Sequence, residues 1–305
     1  MKQGPDAVRA FLRRHAPDLP ARQLRLMPHY GWGGESDAWL VDGRWIFLIP
    51  RSDDSARALA IQVCLLPKLA RRLPLPIPGF RYSARDDGGA CRLAGYEMIP
   101  GDPLRGETLA ALPPAVRVQL AEQLGGFLTT LHNAPVDQAL ECGVAPPRLD
   151  LPAHWQGVYS HVREGIFPAL VEDERRWVTQ RFQAFLDNPR LSSYEQTLCH
   201  GDLGADHILF DSTQGRLTGV YDFGDVCIGD PAGDLAWRRE YGETFFQQVL
   251  AAYHRPQDGT LAERVVFCMD RVPLIEIGYG LENGRPDYVA EGRQQLRLRM
   301  VVSRP

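Results

Sequence analysis

The chain has 305 residues, 44% of them hydrophobic and 24% charged, the balance of a soluble globular protein with room for one or two domains. Its formal net charge of -4 supplies no basic excess, so neither nucleic acid nor an anionic membrane is expected as a partner. The opening Met1 to Phe11 lacks the apolar stretch of a secretory signal and no run is long enough to cross a bilayer, so a cytoplasmic location is expected.

Asp6 to Ala16 reads as a short amphipathic helix, with Val8, Phe11 and Leu12 opposite Arg9, Arg13 and Arg14. Leu24 to Pro28 reads as a first strand, followed by a glycine-rich turn, Tyr30 to Asp37. Ala38 to Val41 and Trp45 to Ile49 flank Asp42-Gly43, a strong hairpin signal because both turn positions need positive φ. Ser52 to Leu73 reads as a helix capped by Ser52 or Asp53 and ended by the prolines at 74, 76 and 78. Phe80 to Ala84 and Leu93 to Ile99 complete an N-terminal sheet of about five strands.

Pro100 to Pro103 is the expected boundary between a small lobe, 1–99, and a larger one, 100–305. Beyond it the spacing predicts helices over Pro113 to His132, Trp155 to Phe167, Asp173 to Phe185, Pro231 to His254, Thr260 to Leu281 and Asp287 to Val301. The fold class is therefore α+β. The cysteines at 64, 91, 142, 199, 227 and 268 form no Cys-x-x-Cys pair, so a zinc site is not expected and most read as small buried apolar residues.

The chemistry concentrates in 198–225. Asp202 follows His200-Gly201 at the end of an apolar strand, and His207 stands five residues later, before Ile208-Leu209-Phe210. A second strand ends in Tyr221-Asp222-Phe223-Gly224. Kinase-type transfer needs one carboxylate for the acceptor hydroxyl, and a second with a polar neighbour to hold magnesium on the nucleotide phosphates. Asp202 suits the first role; read alone, it also suits a turn aspartate bonding its own backbone. Asp222 offers the ionised oxygen that a hard cation requires, and Gly224 lets the chain turn. A neutral imidazole at 207 can ligate a metal or bond a phosphate oxygen.

These residues, with Gly229-Asp230-Pro231 and Asp234, resemble the aminoglycoside phosphotransferase family of antibiotic and small-molecule kinases, notably its 2''-aminoglycoside, macrolide and viomycin branches. The resemblance runs from about Gly31 to the C-terminus and is specific over 198–236. It implies a bilobal kinase-like fold and an O-phosphotransferase that moves the γ-phosphate of ATP or GTP to a hydroxyl of a small molecule. Asp202 would be the base, and His207 and Asp222 the Mg²⁺ ligands. His200, Asp230 and Asp234 would brace the catalytic loop. Glu97 and Ile99 would bond the purine through backbone groups, while Gly33, Gly34 and Ser36 would cover the phosphates. Monomer and dimer both stay open.

One part of the resemblance fails. The family usually carries Lys or Arg on the third strand and a partner Glu on the next helix; here Leu48 and Gln62 stand at those places. Only Lys2 and Lys68 exist, so no shift of register supplies a strand lysine. Three readings follow: Arg51 reaches the phosphates from another backbone position, or magnesium and the glycine-rich turn suffice, or the chain is a kinase-fold relative with weak or no turnover. For the acceptor, Glu240, Glu276 and Tyr279 are the candidates; acidic residues suit a polycationic antibiotic, yet interleaved arginines leave a primary metabolite such as choline, homoserine or a sugar open.

Overall fold

The computed structural model describes residues 4–27, 36–255 and 259–302. Helix α1 (Pro5–His15) leads into strands β1 (Leu24–Leu26), β2 (Ser36–Val41) and β3 (Trp45–Pro50). The β2–β3 hairpin turns where expected: Asp42 and Gly43 have φ of 49° and 68°, and Arg44 N donates to Val41 O at 3.1 Å. Helix α2 (Asp53–Leu69) starts at Ser52, whose hydroxyl accepts from Ser55 N.

Strands β4 (Phe80–Arg85) and β5 (Cys91–Glu97) complete an antiparallel sheet of order β1-β2-β3-β5-β4. The second strand of that pair thus slots between β3 and β4. Trp39, Phe47, Tyr82 and Leu93 of its inner face bury against Val8 and Leu12 of α1.

The chain crosses to the larger lobe through Met98 to Gly101. Gly101 has φ 115°, and a Cβ there would lie 2.5 Å from Thr218 Oγ1, so only glycine passes this close to the strands beneath. Strand β6 (Asp102–Pro103) pairs with β8 (Ile208–Asp211), which pairs with β9 (Arg216–Val220); β7 (Thr197–Cys199) pairs with β10 (Cys227–Gly229).

Helices α3 (Gly106–Ala111), α4 (Pro114–His132), α5 (Val136–Glu141), α6 (Leu151–His161), α7 (Glu172–Leu186), α8 (Arg238–Ala251), α9 (Leu261–Glu282) and α10 (Pro286–Val302) surround these ladders. The helix expected over Trp155 to Phe167 is really α6, a π-helical turn (Val162–Ile166) and a 3₁₀ turn (Phe167–Ala169). The one expected from Pro231 starts later, at Arg238, because 230–237 turns first, with a 3₁₀ turn at Gly233–Leu235, and it kinks at Gly242, φ 78°.

Two features differ from expectation in a way that bears on function. Cys64 of α2 and Cys142, the C-cap of α5, are joined in a disulfide 78 residues apart in sequence. In addition, α2 and the segment after it share the core of the larger lobe: Leu65, Leu66, Leu69, Leu75 and Ile77 bury with Leu104, Phe127, Leu131 and Phe223. No described helix is long and apolar enough to cross a membrane.

Candidate active site

Each aspartate sits just beyond a strand. β7 runs into His200-Gly201-Asp202, and β9 runs into Tyr221-Asp222-Phe223. The β7–β10 pairing draws the first turn against the second. A Cβ on Gly201, φ 89°, would meet Asp225 O at 1.9 Å, so glycine is obligatory there. Asp222 itself has φ 67°, a left-handed backbone uncommon for a non-glycine residue and often found at functional turns.

His207 lies between the two carboxylates. Its Nδ1 is 2.7 Å from the Asp202 backbone carbonyl and 3.8 Å from Asp202 Oδ2, while Nε2 is 3.6 Å from Asp222 Oδ2. A carbonyl only accepts, so Nδ1 donates to it, and Nε2 is the ring nitrogen that faces Asp222. His207 is buried, whereas the Asp202 and Asp222 side chains keep 63% and 57% of their surface open. Both carboxylates thus border an accessible cleft with the imidazole as its floor.

Desolvation in this cleft pushes the Asp202 carboxyl up to about 6; His207 opposes the shift, and the charges of Asp225, Asp222 and Asp234 add to it. Asp225 is also raised, first by burial and then by Asp222. An acidic cluster of this kind, with an imidazole nitrogen turned into it, suits a divalent cation.

Beneath the cleft, the predicted supports converge. Asp234 accepts from the backbone N–H of His200 at 2.6 Å and of Gly201 at 2.9 Å. His132 Nε2 bonds the same carboxylate at 3.1 Å, and its Nδ1 is 2.8 Å from the Tyr253 hydroxyl. Burial works against the Asp234 charge, but these partners outweigh it and hold the carboxyl below its ordinary value. His132, Cys199 and Asp234 crowd closely enough to hold a metal, yet His132 and Asp234 are already engaged with hydrogen-bond partners.

His200 is fixed as a neutral ring. Its Nε2 donates to Tyr221 O at 3.0 Å, Nδ1 accepts from Asp202 N at 3.3 Å, and burial drives it down to about 4. Asp230 pairs with the buried Arg264, whose Nε is 2.9 Å from Oδ2. His132 and Arg264 had no signal in the sequence, being single polar residues on otherwise apolar helical stripes, and Tyr253 lies in the segment just after α8.

The expected nucleotide contacts are spread more widely. Gly33 and Gly34 lie outside the described residues; Ser36 opens β2 opposite Pro50. Glu97 ends β5, with its carboxylate on Arg44 at 2.9 Å, and the Ile99 side chain packs against Gly219 on β9. Arg51 grips the buried Asp37, with Nη2 2.6 Å and Nε 2.9 Å from Oδ1. Leu48 packs with Leu59, Cys91 and Ala94, and Gln62 is buried on α2.

The acceptor candidates do not form one group. Glu240, at the start of α8, accepts from Gly106 N at 3.2 Å and, with Arg105 and Glu107, lines an open cavity of about 540 Å³. Arg105 also reaches Asp206 in the catalytic loop. Glu276 is 1% exposed, Oε2 has no hydrogen-bond partner among the described residues, and burial raises its carboxyl to about 7. Tyr279 is half-buried and packs edge-on against Tyr288.

A model of the phosphotransferase enzyme family matches residues 29–264. The chain belongs to that family. Viomycin phosphotransferase of Streptomyces vinaceus is 34% identical over 199 residues, covering 64% of this chain and 66% of that protein. An aminoglycoside 3'-phosphotransferase of Streptomyces fradiae is 28% identical over 233 residues, covering 70% and 80%. Among solved structures, the GDP and kanamycin complex of APH(2")-IIia superposes with a TM-score of 0.88 at 29% identity, over 97% of this chain and 99% of that one. The bilobal kinase-like fold and the assignment as a phosphotransferase follow from these matches.

Proposed function

We propose that this phosphotransferase moves the γ-phosphate of a purine nucleoside triphosphate to a hydroxyl of a cationic, antibiotic-like small molecule, with Mg²⁺ as the metal. The observation that carries the reading is Asp202 and Asp222 meeting across His207, whose Nε2 stands 3.6 Å from Asp222 Oδ2. An imidazole nitrogen and a carboxylate facing each other at that distance suit a shared cation, and hard-cation chemistry favours the carboxylate. Bound Mg²⁺ would neutralise phosphate charge as the phosphoryl group transfers.

In this reading Asp202 accepts a hydrogen bond from the acceptor hydroxyl, aims its oxygen and takes its proton as the new ester forms. His207 and Asp222 hold the cation. Asp234, through the amides of His200 and Gly201, keeps Asp202 in register, while His200 ties the two turns together. GTP is the favoured donor because a relative of near-complete structural overlap carries GDP. Relatives that act on viomycin and aminoglycosides, with acidic Glu240 beside the catalytic loop, support a polyamine-bearing acceptor. A 1–99/100–305 division of lobes remains the sequence-based proposal.

A panel of tuberactinomycins, aminoglycosides, macrolides and primary metabolites, each assayed with γ-labelled ATP and GTP, tests this. Label transfer to a cationic antibiotic is expected; transfer only to a metabolite such as choline would overturn the acceptor class.

The second reading, a kinase-shaped protein with slow or no turnover, is favoured by Leu48 in its apolar cluster and by Arg51 held on Asp37. Titration calorimetry with Mg·ATP and Mg·GTP separates the two: absence of binding at millimolar concentration supports this one.

A further inference from the structure

Helix α2 is anchored unequally. Toward the sheet it offers Leu59, Ala60 and Val63 to a small apolar cluster with Leu48, Cys91 and Ala94. The ion pair from its first turn to the sheet, Asp53 with Arg92 at 2.8 Å, is exposed on both sides and worth little. Strand β3 carries no charged side chain to hold the helix from above.

From below, the hold is strong. Ile61, Cys64 and Lys68 form one helical stripe facing the end of α5. Ile61 lies 3.7 Å from the position of a Cβ on Gly143 and Cys64 is bonded to Cys142; the Lys68–Glu141 ion pair, 2.9 Å, is as exposed as Asp53–Arg92 and adds little. Both bonded cysteines and the free Cys227 are partly exposed, whereas Cys91, Cys199 and Cys268 are buried. Burial raises the thiol pKa of each of those three, which keeps them poor nucleophiles. Burial raises the Cys227 thiol as well, so among the partly exposed cysteines it too is a poor nucleophile.

We propose that Cys64 and Cys142 form a positioning cross-link that fixes α2 beneath the nucleotide-covering sheet, so that its redox state tunes nucleotide affinity. This rests on the proposed function and on the reading in which the N-terminal sheet covers the nucleotide, with Glu97 and Ile99 on the purine and Ser36 over the phosphates. Leu65, Leu66 and Leu69 keep the C-terminal half of the helix in the core of the larger lobe, so opening the cross-link releases only the stretch before them, whose first turn follows Arg51, the partner of Asp37.

The oxidant is a low-molecular-weight disulfide. One cysteine thiolate attacks it, forming a mixed disulfide and expelling one thiol; the second cysteine displaces the other. The protein loses two electrons and two protons, which leave as two small thiols, and reductant reverses the step.

The test uses the full-length protein. After exposure to oxidised glutathione, denatured protein should titrate four thiols, and six after reduction, from the six cysteines of which four are free. Reduction should weaken Mg·GTP and Mg·ATP binding by about fivefold, the low end of coupling between separate sites, while acceptor KM moves less than about twofold. Cys64→Ser/Cys142→Ser should match the reduced form and ignore reductant.

Six thiols in the oxidised sample, or equal nucleotide affinity in the four- and six-thiol forms, would overturn the inference. A lowered melting temperature with unchanged affinity would mean a purely structural staple, and also counts against it. No nucleotide binding in either form would overturn the proposed function together with this tuning, which is distinct from redox-insensitive binding.

Discussion

His207 gives its Nδ1 proton to the Asp202 carbonyl oxygen, 2.7 Å away, and turns Nε2 toward Asp222 Oδ2 at 3.6 Å. A ring held this way turns its other nitrogen on a carboxylate, a contact that a cation or a proton between them makes favourable. The backbone of one aspartate thereby aims a ligand at the side chain of the other.

That arrangement makes the metal dependence testable. His207→Ala should raise the Mg²⁺ concentration for half-maximal activity by at least about tenfold, as loss of a metal-site partner does elsewhere. His207→Asn, which keeps a ligating oxygen or an amide donor, should retain most of the activity. A magnesium titration of the three proteins gives the answer; equal midpoints would remove His207 from the metal site.

Asp202→Ala should lower kcat by about 10²–10⁴, the range for loss of a positioned general base, with nucleotide affinity little changed. Single-turnover kinetics with labelled nucleotide would measure it. Wild-type turnover in the variant would reassign the base.

The pH profile follows from the same residue. Burial raises Asp202 to about 6, and the base works only when ionised. Activity is therefore present above that value and lost as pH falls through it, so kcat/KM should drop about tenfold per unit below about pH 6. A bound cation favours the ionised form, so kcat should break at a lower pH than kcat/KM. A flat kcat/KM from pH 7 down to 5 would contradict this.

Much of the site was legible because its signals are local. Asp202, His207 and Asp222 fall in two strand-to-turn segments whose apolar runs and glycines can be read directly. The Asp42-Gly43 hairpin and the Ser52 cap are equally local. What escaped depends on chain separation: His132 meets Asp234 across 102 residues, and Arg264 meets Asp230 across 34. The Cys64–Cys142 bond needs a Cα separation of 5.5 Å that no spacing rule conveys. Arg51 also could not be judged from sequence, since its hold on Asp37 arises only once β2 and β3 are paired.

The Asp230–Arg264 pair should be structural. Both groups are buried, so Asp230→Ala leaves a guanidinium without its charge partner and should cost about 3–5 kcal/mol in urea unfolding. Asp202→Ala, at the open cleft, should cost far less. Comparable losses in the two variants would mean Asp230 bears no special load.

Glu276 should behave in the opposite sense. Its folded carboxyl is raised to about 7, above the ordinary 4.5, first by burial and then by Glu291. Such a group leaves stability intact below its unfolded value and reduces it as pH rises through the folded value. Glu276→Gln should therefore stabilise the protein by about 2 kcal/mol at pH 8, with the gain gone near pH 4.5. Denaturant curves at the two pH values would show it; destabilisation at pH 8 would point to a partner for the ionised group.

The shared core of α2 and the larger lobe also bears on how chimaeras with relatives should be cut. Leu65, Leu66 and Leu69 bury alongside Phe127 and Phe223, although they precede the crossing at Gly101 in sequence. A graft that exchanges everything before residue 100 would import a foreign helix face into an interior shaped for this one. Exchanging only the sheet, with junctions near Ser52 and Gly79, keeps that interior whole and isolates donor-nucleotide preference as the transplanted trait.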